Sequence, residues 1–576
     1  HLAQGNLSGG INNSGSIYGG TGGVAIFSRS YLAGGINNTG TIVGNYRGIN
    51  LSWETTLSGG ITNSGSIHGL WDAGVAVEGA YISGRISNSG VIASNNRGIY
   101  ARYANLSEGI NNSGTISSVY AAALDLSSGS ILSGGITNSG SIHGGQAGIR
   151  LGSSSTLSGG INNTGTINAI SLYWWDHNPP GILLAASNLS DGINNSGSIY
   201  GGNGIRLTQS TLSGGIANSG VIVGQEYGIR LTQSALSGGI TNTGLISAGS
   251  HGISVWQSNL LGGINNSGTI TTVARDGILL YQSTLSGGIN NRGSIYSGWT
   301  GMRLSSSVIN GGLTNSGSIY GDWNGMRLSG MSIPNGVSNN GLIAGGSSGI
   351  FISRSTLSGG INNSGLIAGN SVAIGITNSG LIDINNASVG TIVGAINGTA
   401  NVSNSGLFAL QTMSGGTIVG GSVVSSAIIG SYYQGSSGTL QFGLKGSNGS
   451  GTDSGNYSQL SVSGAANFAA NTNLSVYADS ASSAVTAGQT LVGVVRAGSL
   501  SSAGFTVADN LARVKFTAVT VGGNEIDLVA SGDNRNCPSV VNNSRTGPCF
   551  VAVDQTTLDV ATTGTITNNF GNAVEV

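Results

Sequence analysis

The amino-acid sequence predicts an all-β fold, a right-handed parallel β-helix with three short strands in each turn. The tripeptide Asn-x-Gly, flanked by aliphatic residues at fixed offsets, recurs seventeen times between residues 13 and 406, and most steps between these glycines are 24 or 25 residues long. A repeat of about 24–25 residues without helix-forming composition is typical of a solenoid, in which similar turns stack on one another. The expected hand follows from parallel strand connections, which are right-handed in nearly all proteins.

Aliphatic residues at constant offsets from each repeat glycine predict the short strands. Around Gly220, Ile216 precedes the glycine by four residues, Ile222 follows it by two, and the Gly-Ile-x-Leu segment 228–231 comes next. Alternation over three or four residues that is interrupted by glycine favours strands over helices. A single turn buries too few aliphatic side chains to fold alone, so we expect the turns to stack and share backbone hydrogen bonds.

The asparagine two residues before each repeat glycine never changes, and we expect it to form a ladder of amide hydrogen bonds inside the stack. The glycine itself is expected to supply the positive φ that lets the chain turn. A row of polar side chains that line a ligand channel is the alternative. The predicted ladder includes Asn13, Asn38, Asn63, Asn88, Asn112, Asn138, Asn163, Asn195, Asn218, Asn242 and Asn266.

The composition restricts the classes of partner. Only 7% of the 576 residues are charged and the net charge is −1, so nothing favours nucleic acid or an anionic membrane as a partner. The sequence contains no run of 18 apolar residues and therefore predicts no membrane-spanning helix. The chain starts at His1 and shows no signal peptide, so we expect a processed or trimmed piece of a longer precursor.

The two cysteines, Cys537 and Cys549, lie close together near the C-terminus. We expect them to form a local disulfide, and a pair of free thiols is the alternative. A disulfide would indicate an oxidising, extracytoplasmic setting.

Interruptions of the repeat define four predicted regions. The step from Gly165 to Gly197 is 32 residues long and contains an insertion, and the step from Gly365 to Gly380 is only 15, which predicts a degenerate or re-routed turn. The predicted regions are 1–410 for the β-helix, 411–437 for imperfect turns, 438–531 for a C-terminal cap of longer strands, and 532–576 for a linker that contains the cysteines.

Four segments of the C-terminal cap, 455–466, 474–478, 488–500 and 524–530, resemble a known family. They are similar to the autochaperone segment of passenger domains in pertactin-like autotransporters. The resemblance implies a Gram-negative virulence factor that is exported across the outer membrane, is displayed at the cell surface or secreted, and folds from its C-terminal turns. It also implies a C-terminal translocator barrel, absent from this chain, as its only link to a membrane.

The sequence predicts no catalytic residue, metal site or cofactor, and we expect a protein that is not an enzyme. Glu54, Asp72 and Glu78 form the best carboxylate group, but their offsets from the repeat glycines differ, so we expect them not to converge. Some parallel β-helices degrade polysaccharides with clustered carboxylates, and such an enzyme is the weaker alternative.

Outward aromatic and arginine side chains are the best binding candidates, because protein interfaces favour these residue types at their hot spots. Trp299 and Trp323 share one offset, and Arg303 and Arg327 are the outward residues of Gly-x-x-Leu strands, like Arg150, Arg206 and Arg230. Simple covering of the sheet by long side chains is the alternative. The predicted partner-binding residues are Tyr173, Trp174, Trp175, Asp176 and His177 of the insertion, with Trp299, Trp323, Arg303 and Arg327.

These observations predict a non-enzymatic, surface-displayed protein that binds a host protein or another copy of itself. Adhesion, either to host surfaces or between bacteria, is one mode. Capture of a soluble host complement or protease regulator for immune evasion is the other. Self-association would use the long faces of Ser, Thr and Asn, whereas capture would depend on a discrete patch.

Overall fold

The computed structural model describes residues 1–170, 178–414, 416–445, 455–478, 485–511 and 514–532, and six two-residue strands beyond them. The chain divides into two compact units, His1–Gly311 and Gly312–Val576. In the described part of the chain every regular element is a β-strand, so the predicted all-β class is confirmed. No helix there is long and apolar enough to cross a membrane.

Each regular coil of the first unit contains four strands. One coil consists of a dipeptide strand (Thr56–Leu57), an asparagine strand (Ile61–Asn63), a middle strand (Ser66–Gly69) and a long strand (Ala73–Glu78). This corrects the prediction of three strands per turn. The dipeptide strand was missed because two residues are too short to show an alternation of apolar and polar side chains.

The four strand types repeat along the first unit. The dipeptide strands are Asn6–Leu7, Tyr31–Leu32, Thr56–Leu57, Tyr81–Ile82, Asn105–Leu106, Ile131–Leu132, Thr156–Leu157, Asn188–Leu189, Thr211–Leu212, Ala235–Leu236, Asn259–Leu260, Thr284–Leu285 and Val308–Ile309. The asparagine strands are Ile11–Asn13, Ile36–Asn38, Ile61–Asn63, Ile86–Asn88, Ile110–Asn112, Ile136–Asn138, Ile161–Asn163, Ile193–Asn195, Ile216–Asn218, Ile240–Asn242, Ile264–Asn266 and Ile289–Asn291.

The middle and long strands complete each coil. The middle strands are Ser16–Gly19, Thr41–Gly44, Ser66–Gly69, Val91–Ser94, Thr115–Ser118, Ser141–Gly144, Thr166–Ala169, Leu245–Ala248, Thr269–Thr272 and Ser294–Ser297. The long strands are Gly22–Phe27, Arg47–Ser52, Ala73–Glu78, Arg97–Arg102, Ala122–Ser127, Ala147–Gly152, Pro180–Ala185, His251–Trp256, Ile278–Tyr281 and Thr300–Ser305. In two coils the middle and long strands are continuous, as Ser198–Thr208 and as Val221–Thr232. Leu2–Ala3 pairs with the first long strand.

Equal positions of successive coils pair in register, which builds the core from columns of similar side chains. Ile61 pairs in parallel with Ile36 on one side and with Ile86 on the other, and all three are buried. Burial of each such side chain contributes about 2 kcal/mol. The first unit is therefore a parallel β-solenoid, as predicted, and the hand of its coil stays a prediction.

The predicted asparagine ladder is present. In the first unit, Nδ2 of each ladder asparagine donates to Oδ1 of the next at 2.7–2.8 Å, from Asn13 to Asn291. Each amide also donates to the carbonyl oxygen of its own repeat glycine, as from Asn38 to Gly40 at 3.1 Å. The ladder side chains are buried, and their polar atoms are satisfied by each other and by backbone. The row is therefore structural and does not form a ligand channel.

The repeat glycines do not adopt a positive φ, which corrects the role predicted for them. Glycine is required at this position because there is no space for a side chain. A Cβ on Gly140 would lie 2.1 Å from the carbonyl oxygen of Gly114 in the neighbouring coil. The positive φ occurs five residues earlier, where Gly135 has a φ of 77°.

The second unit contains the same strand types. Its asparagine strands are Leu313–Asn315, Val337–Asn339 and Ile361–Asn363, its middle strands are Ser318–Gly321 and Leu342–Gly345, and its long strands are Asn324–Ser329 and Ser348–Ser353. Leu366–Thr377, Ile382–Asn386, Thr391–Asn404 and Leu407–Leu410 follow. Its ladder runs through Asn363, Asn386 and Asn404, whereas Asn378 of the short step lies in a turn with a φ of 51°. That turn is re-routed, as the short step predicts.

Beyond residue 410 the strands lengthen and some become antiparallel. Val514–Val521 pairs with Glu525–Gly532 as a hairpin, and Glu525–Gly532 also pairs with Thr490–Ser502. The other strands here are Met413–Ser414, Thr417–Ile418, Ser426–Ile429, Tyr432–Gln434, Thr439–Leu444, Leu460–Phe468, Thr472–Ala478 and Phe505–Asp509. The two-residue strands are Val540–Val541, Arg545–Thr546, Cys549–Phe550, Asp559–Val560, Ile566–Thr567 and Val574–Glu575.

Aromatic side chains enter the core in this part of the second unit. The ring of Tyr432 lies 6.4 Å from that of Phe408 and 5.8 Å from that of Phe468. Complete burial raises the pKa of the Tyr432 hydroxyl far above its ordinary value. The predicted disulfide between Cys537 and Cys549 lies outside the residues whose side chains the structure describes. The predicted boundaries at 410, 437 and 531 stay predictions.

Candidate protein-binding corner

The corner between the middle and long strands carries exposed apolar side chains in the first unit. The chain bends so tightly here that a Cβ on Gly69 would lie 1.7 Å from the carbonyl oxygen of Ala73, and the residues between project outward. Their backbone is held by the neighbouring coil, as where the Leu70 N–H donates to the Gly44 oxygen at 3.0 Å. We call Tyr46, Leu70, Trp71, Val119, Tyr120 and Ile170, which are 38–72% exposed, the exposed corner.

Every tryptophan in the described part of the chain is substantially exposed. The exposed fraction ranges from 43% to 76% for Trp53, Trp71, Trp256, Trp299 and Trp323. The solenoid core explains why, because its columns of Ile and Leu leave no space for an indole ring. Tryptophan is the residue type most enriched at the hot spots of protein interfaces. The five indoles are therefore surface groups.

An ionic ladder that the sequence did not predict lies on the long strands beside the exposed corner. Arg47 Nε lies 2.7 Å from Asp72 Oδ2, Asp72 Oδ1 lies 3.0 Å from Arg97 Nη1, and Arg97 Nε lies 3.1 Å from Asp125 Oδ2. Arg150 ends the series, with Nη1 3.3 Å from Asp125 Oδ2. We call these five residues the ionic ladder. Both aspartates are buried, so each depends on its two arginines for compensation of charge.

Glu54, Asp72 and Glu78 do not meet as one group, as expected, although two of them, Asp72 and Glu78, share Arg47 as a partner. Arg47 joins them, because its Nη1 lies 2.5 Å from Glu78 Oε2 while its Nε contacts Asp72. Burial alone would lower the pKa of the Arg47 guanidinium, but hydrogen bonds to Glu78 and Asp72 raise that pKa above its ordinary value. Glu54 is elsewhere, in an exposed pair with Arg29. A carboxylate neutralised in this way is a structural element and a poor acid or base.

Replacing Asp125 by alanine is expected to lower the free energy of unfolding of the first unit by about 2 kcal/mol, because Arg97 and Arg150 lose their shared counterion. The loss is smaller than for a fully buried pair, since the two arginine side chains are 25% and 40% exposed. Urea titration followed by circular dichroism measures the change. Glu54→Ala, which breaks the exposed pair, is the control and should cost at most about 0.5 kcal/mol. Equal losses in the two variants would contradict a role for the ladder.

Trp299 and Trp323 occupy equal positions, each in the bend between a middle strand and a long strand of its own unit. In the first unit, Trp299 is 47% exposed, and Arg303 Nη1 lies 4.0 Å from Asp276 Oδ2. In the second unit, Trp323 is exposed and the Arg327 guanidinium lies 5.3 Å from the centre of the Phe351 ring. Tyr173, Trp174, Trp175, Asp176 and His177 lie outside the described residues.

A serine, a histidine and an aspartate meet in the first unit. Ser250 Oγ lies 2.9 Å from His251 Nδ1, and His251 Nε2 lies 3.4 Å from Asp276 Oδ2. The ring of Tyr227 stacks on the imidazole at 5.2 Å. The N–H groups of Gly249 and Ser250 donate to carbonyl oxygens of the preceding coil, so they do not provide an oxyanion hole. We therefore treat this trio as a buried structural contact.

A polar face follows the outer side of the asparagine strands. It contains two shallow grooves of about 310 and 270 Å³, lined by side chains such as Asn162, Ser196, Thr62 and Ser87. These side chains are short and mostly polar, and none is aromatic. The exposed corner is therefore the better candidate for protein binding.

Comparison with known proteins does not identify a function for this chain. No protein-family model matches the chain, and no curated protein matches it. Among the described residues, no three His, Cys, Asp or Glu side chains are grouped to hold a metal ion.

Proposed function

We propose that this chain is a non-enzymatic binding protein, displayed at a bacterial cell surface, that binds a host protein through the exposed corner. The observation that carries the proposal is the set of exposed apolar side chains that the corner carries in several coils, on a backbone held by hydrogen bonds between coils. Large aromatic side chains such as Trp71 are the residues that protein interfaces favour at their hot spots. A backbone that is already ordered also reduces the entropy lost on binding.

The proposed cell-surface location has a separate basis. It rests on the similarity of residues 438–531 to the autochaperone segment of pertactin-like passenger domains. Adhesion to a host surface and capture of a soluble host regulator both use a discrete patch of this kind. A second copy of the chain is the alternative partner.

Trp71→Ser is expected to weaken partner binding at least tenfold, because a large indole at the centre of an interface contributes about 2 kcal/mol or more. The chain is immobilised, host serum and epithelial membrane extract are passed over it, and the affinity of each retained protein is then measured for wild type and variants. Trp53→Ser is the matched control: Trp53 is 76% exposed and Trp71 is 72% exposed, but Trp53 lies in the turn after a long strand. Equal affinities for the two variants would refute binding at the exposed corner.

Sedimentation velocity of the chain alone tests the alternative partner. Association that rises with concentration and is lost in Trp71→Ser would make a second copy the partner. A wild-type chain that stays monomeric while it binds a host protein would support the proposal.

A further inference from the structure

Two arginines stand side by side on the long strands of the first unit, and neither forms an ion pair with a residue that the structure describes. Arg206 pairs in register with Arg230, and the next residues along this outward column are Leu183 and Ser254. Neighbouring strands lie about 4.8 Å apart, so the two guanidinium groups are close. No carboxylate among the described residues forms an ion pair with either of them. Arg150, in the same column, does have one, because it contacts Asp125.

Donors beside this pair are also unsatisfied. Arg206 Nε and Thr208 Oγ1 are buried atoms without a hydrogen-bond partner in the described structure. The two residues belong to one strand and are two positions apart, so their side chains lie on the same side of the sheet. Buried polar groups in proteins nearly always have partners, and a group without one indicates a missing ligand or water.

The surroundings hold the pair in place. The guanidinium carbon of Arg230 lies 4.5 Å from the centre of the Tyr227 ring. Burial, and then the positive charge of Arg230, lower the pKa of Arg206, while the more distant Glu226 acts in the opposite direction. An anion bound between the two arginines would remove this repulsion.

We propose that Arg206 and Arg230, with Thr208, bind a tetrahedral oxyanion, namely a sulfate or phosphate group. A guanidinium donates two parallel hydrogen bonds to a pair of oxygen atoms. A planar carboxylate offers only one such pair of oxygen atoms, whereas a tetrahedral oxyanion offers several pairs and can accept two parallel hydrogen bonds from each of two guanidinium groups. The Thr208 hydroxyl can donate to a further oxygen.

The oxyanion could be a free ion or an ester on a larger molecule such as a sulfated polysaccharide. The site does not rest on the exposed corner, since none of its residues belongs to that surface. The two proposals therefore succeed or fail separately.

Calorimetric titration of the full chain with sodium sulfate, sodium phosphate and heparin, at constant ionic strength, tests the site. Wild type is expected to bind, and Arg206→Gln and Arg230→Gln should each weaken binding about tenfold or more. Arg150→Gln removes the same charge from the same column, but from an arginine with a counterion, and should change the affinity less than twofold.

The choice of probes distinguishes a free oxyanion from an ester on a polymer. Binding of inorganic sulfate or phosphate supports a site for the free ion, and binding of heparin alone supports a sulfate ester on a polymer. Desulfated heparin should not bind in either case. The proposal is overturned if wild type binds none of the probes, or if Arg150→Gln weakens binding as much as Arg230→Gln.

The folded state of the variants is measured in the same samples. Without an oxyanion, Arg230→Gln is expected to unfold at the same temperature as wild type or higher, because one of two neighbouring like charges is gone. A purely structural role for the arginine predicts a lower unfolding temperature instead. The Nε atom of Arg206 is buried, so Arg206→Gln is the variant more prone to misfold, and Arg230→Gln decides the outcome if it does.

Discussion

Replacing Gly365 by alanine is expected to destabilise the second unit by about 3–5 kcal/mol. The added Cβ would lie 2.1 Å from the carbonyl oxygen of Gly341. That oxygen accepts a hydrogen bond from the Leu366 N–H at 2.8 Å, so it cannot move away without breaking the contact between coils. Denaturant unfolding, together with hydrogen exchange of the amides near Gly365, measures the loss.

Gly380 supplies the matched control. It belongs to an identical Asn-Ser-Gly tripeptide in the same unit, but a Cβ there would have no atom within 4 Å. Gly380→Ala should therefore leave stability within about 0.5 kcal/mol of wild type. Similar losses in both variants would show that the repeat glycine is required for its backbone freedom and not for the close approach of coils.

Asn163→Asp is expected to destabilise the first unit by about 3 kcal/mol at pH 7, although the two side chains have the same shape. Nδ2 of Asn163 donates to Asn195 Oδ1 at 2.7 Å, to the Gly165 oxygen at 3.1 Å and to the Ser198 oxygen at 3.2 Å. A carboxylate oxygen in that position would face three acceptors and donate to none. Urea titration measures the change in the free energy of unfolding.

The loss in Asn163→Asp should depend on pH with a definite sign. The three acceptors and the burial disfavour the ionised form, so the folded-state pKa of the new carboxyl group is raised above its unfolded value of about 3.9. Only the protonated form can donate a hydrogen bond. The variant is therefore closest to wild type below pH 4 and loses stability as the pH rises through the folded-state pKa.

The adjacent residue is the control for this prediction. Asn162 is exposed, and its Oδ1 accepts a hydrogen bond from Asn194 that an aspartate could also accept. Asn162→Asp should change stability by less than about 0.5 kcal/mol at any pH from 4 to 7. A pH-independent loss of stability in Asn163→Asp would indicate a packing effect. It would contradict the explanation by lost ladder hydrogen bonds.

The stacked coils could be predicted from the sequence because they depend on identical positions. A column such as Ile36, Ile61 and Ile86 requires the same residue type at the same offset in every coil, and periodicity reveals it directly. The reason for the repeat glycine could not be predicted. A required glycine indicates either a positive φ or a close contact, and both occur in each coil, at Gly135 and Gly140 respectively.

The ionic ladder could not be predicted from offsets because long side chains connect different columns. Arg47 reaches Asp72 in the turn before the next long strand and Glu78 near the end of that strand. The exposed corner was predicted only in part. The sequence indicates the outward tryptophans, whereas Leu70, Val119 and Ile170 look like core residues until the tight bend before the long strand is known.

The longest insertion leaves the asparagine ladder unchanged. Asn163 and Asn195 are 32 residues apart, yet their amides meet at 2.7 Å like all the others. The additional chain leaves the coil after Ile170 and returns before Pro180, at a bend whose length the stack does not restrict. Foreign peptides could therefore be grafted at this point for epitope display while the scaffold stays the same.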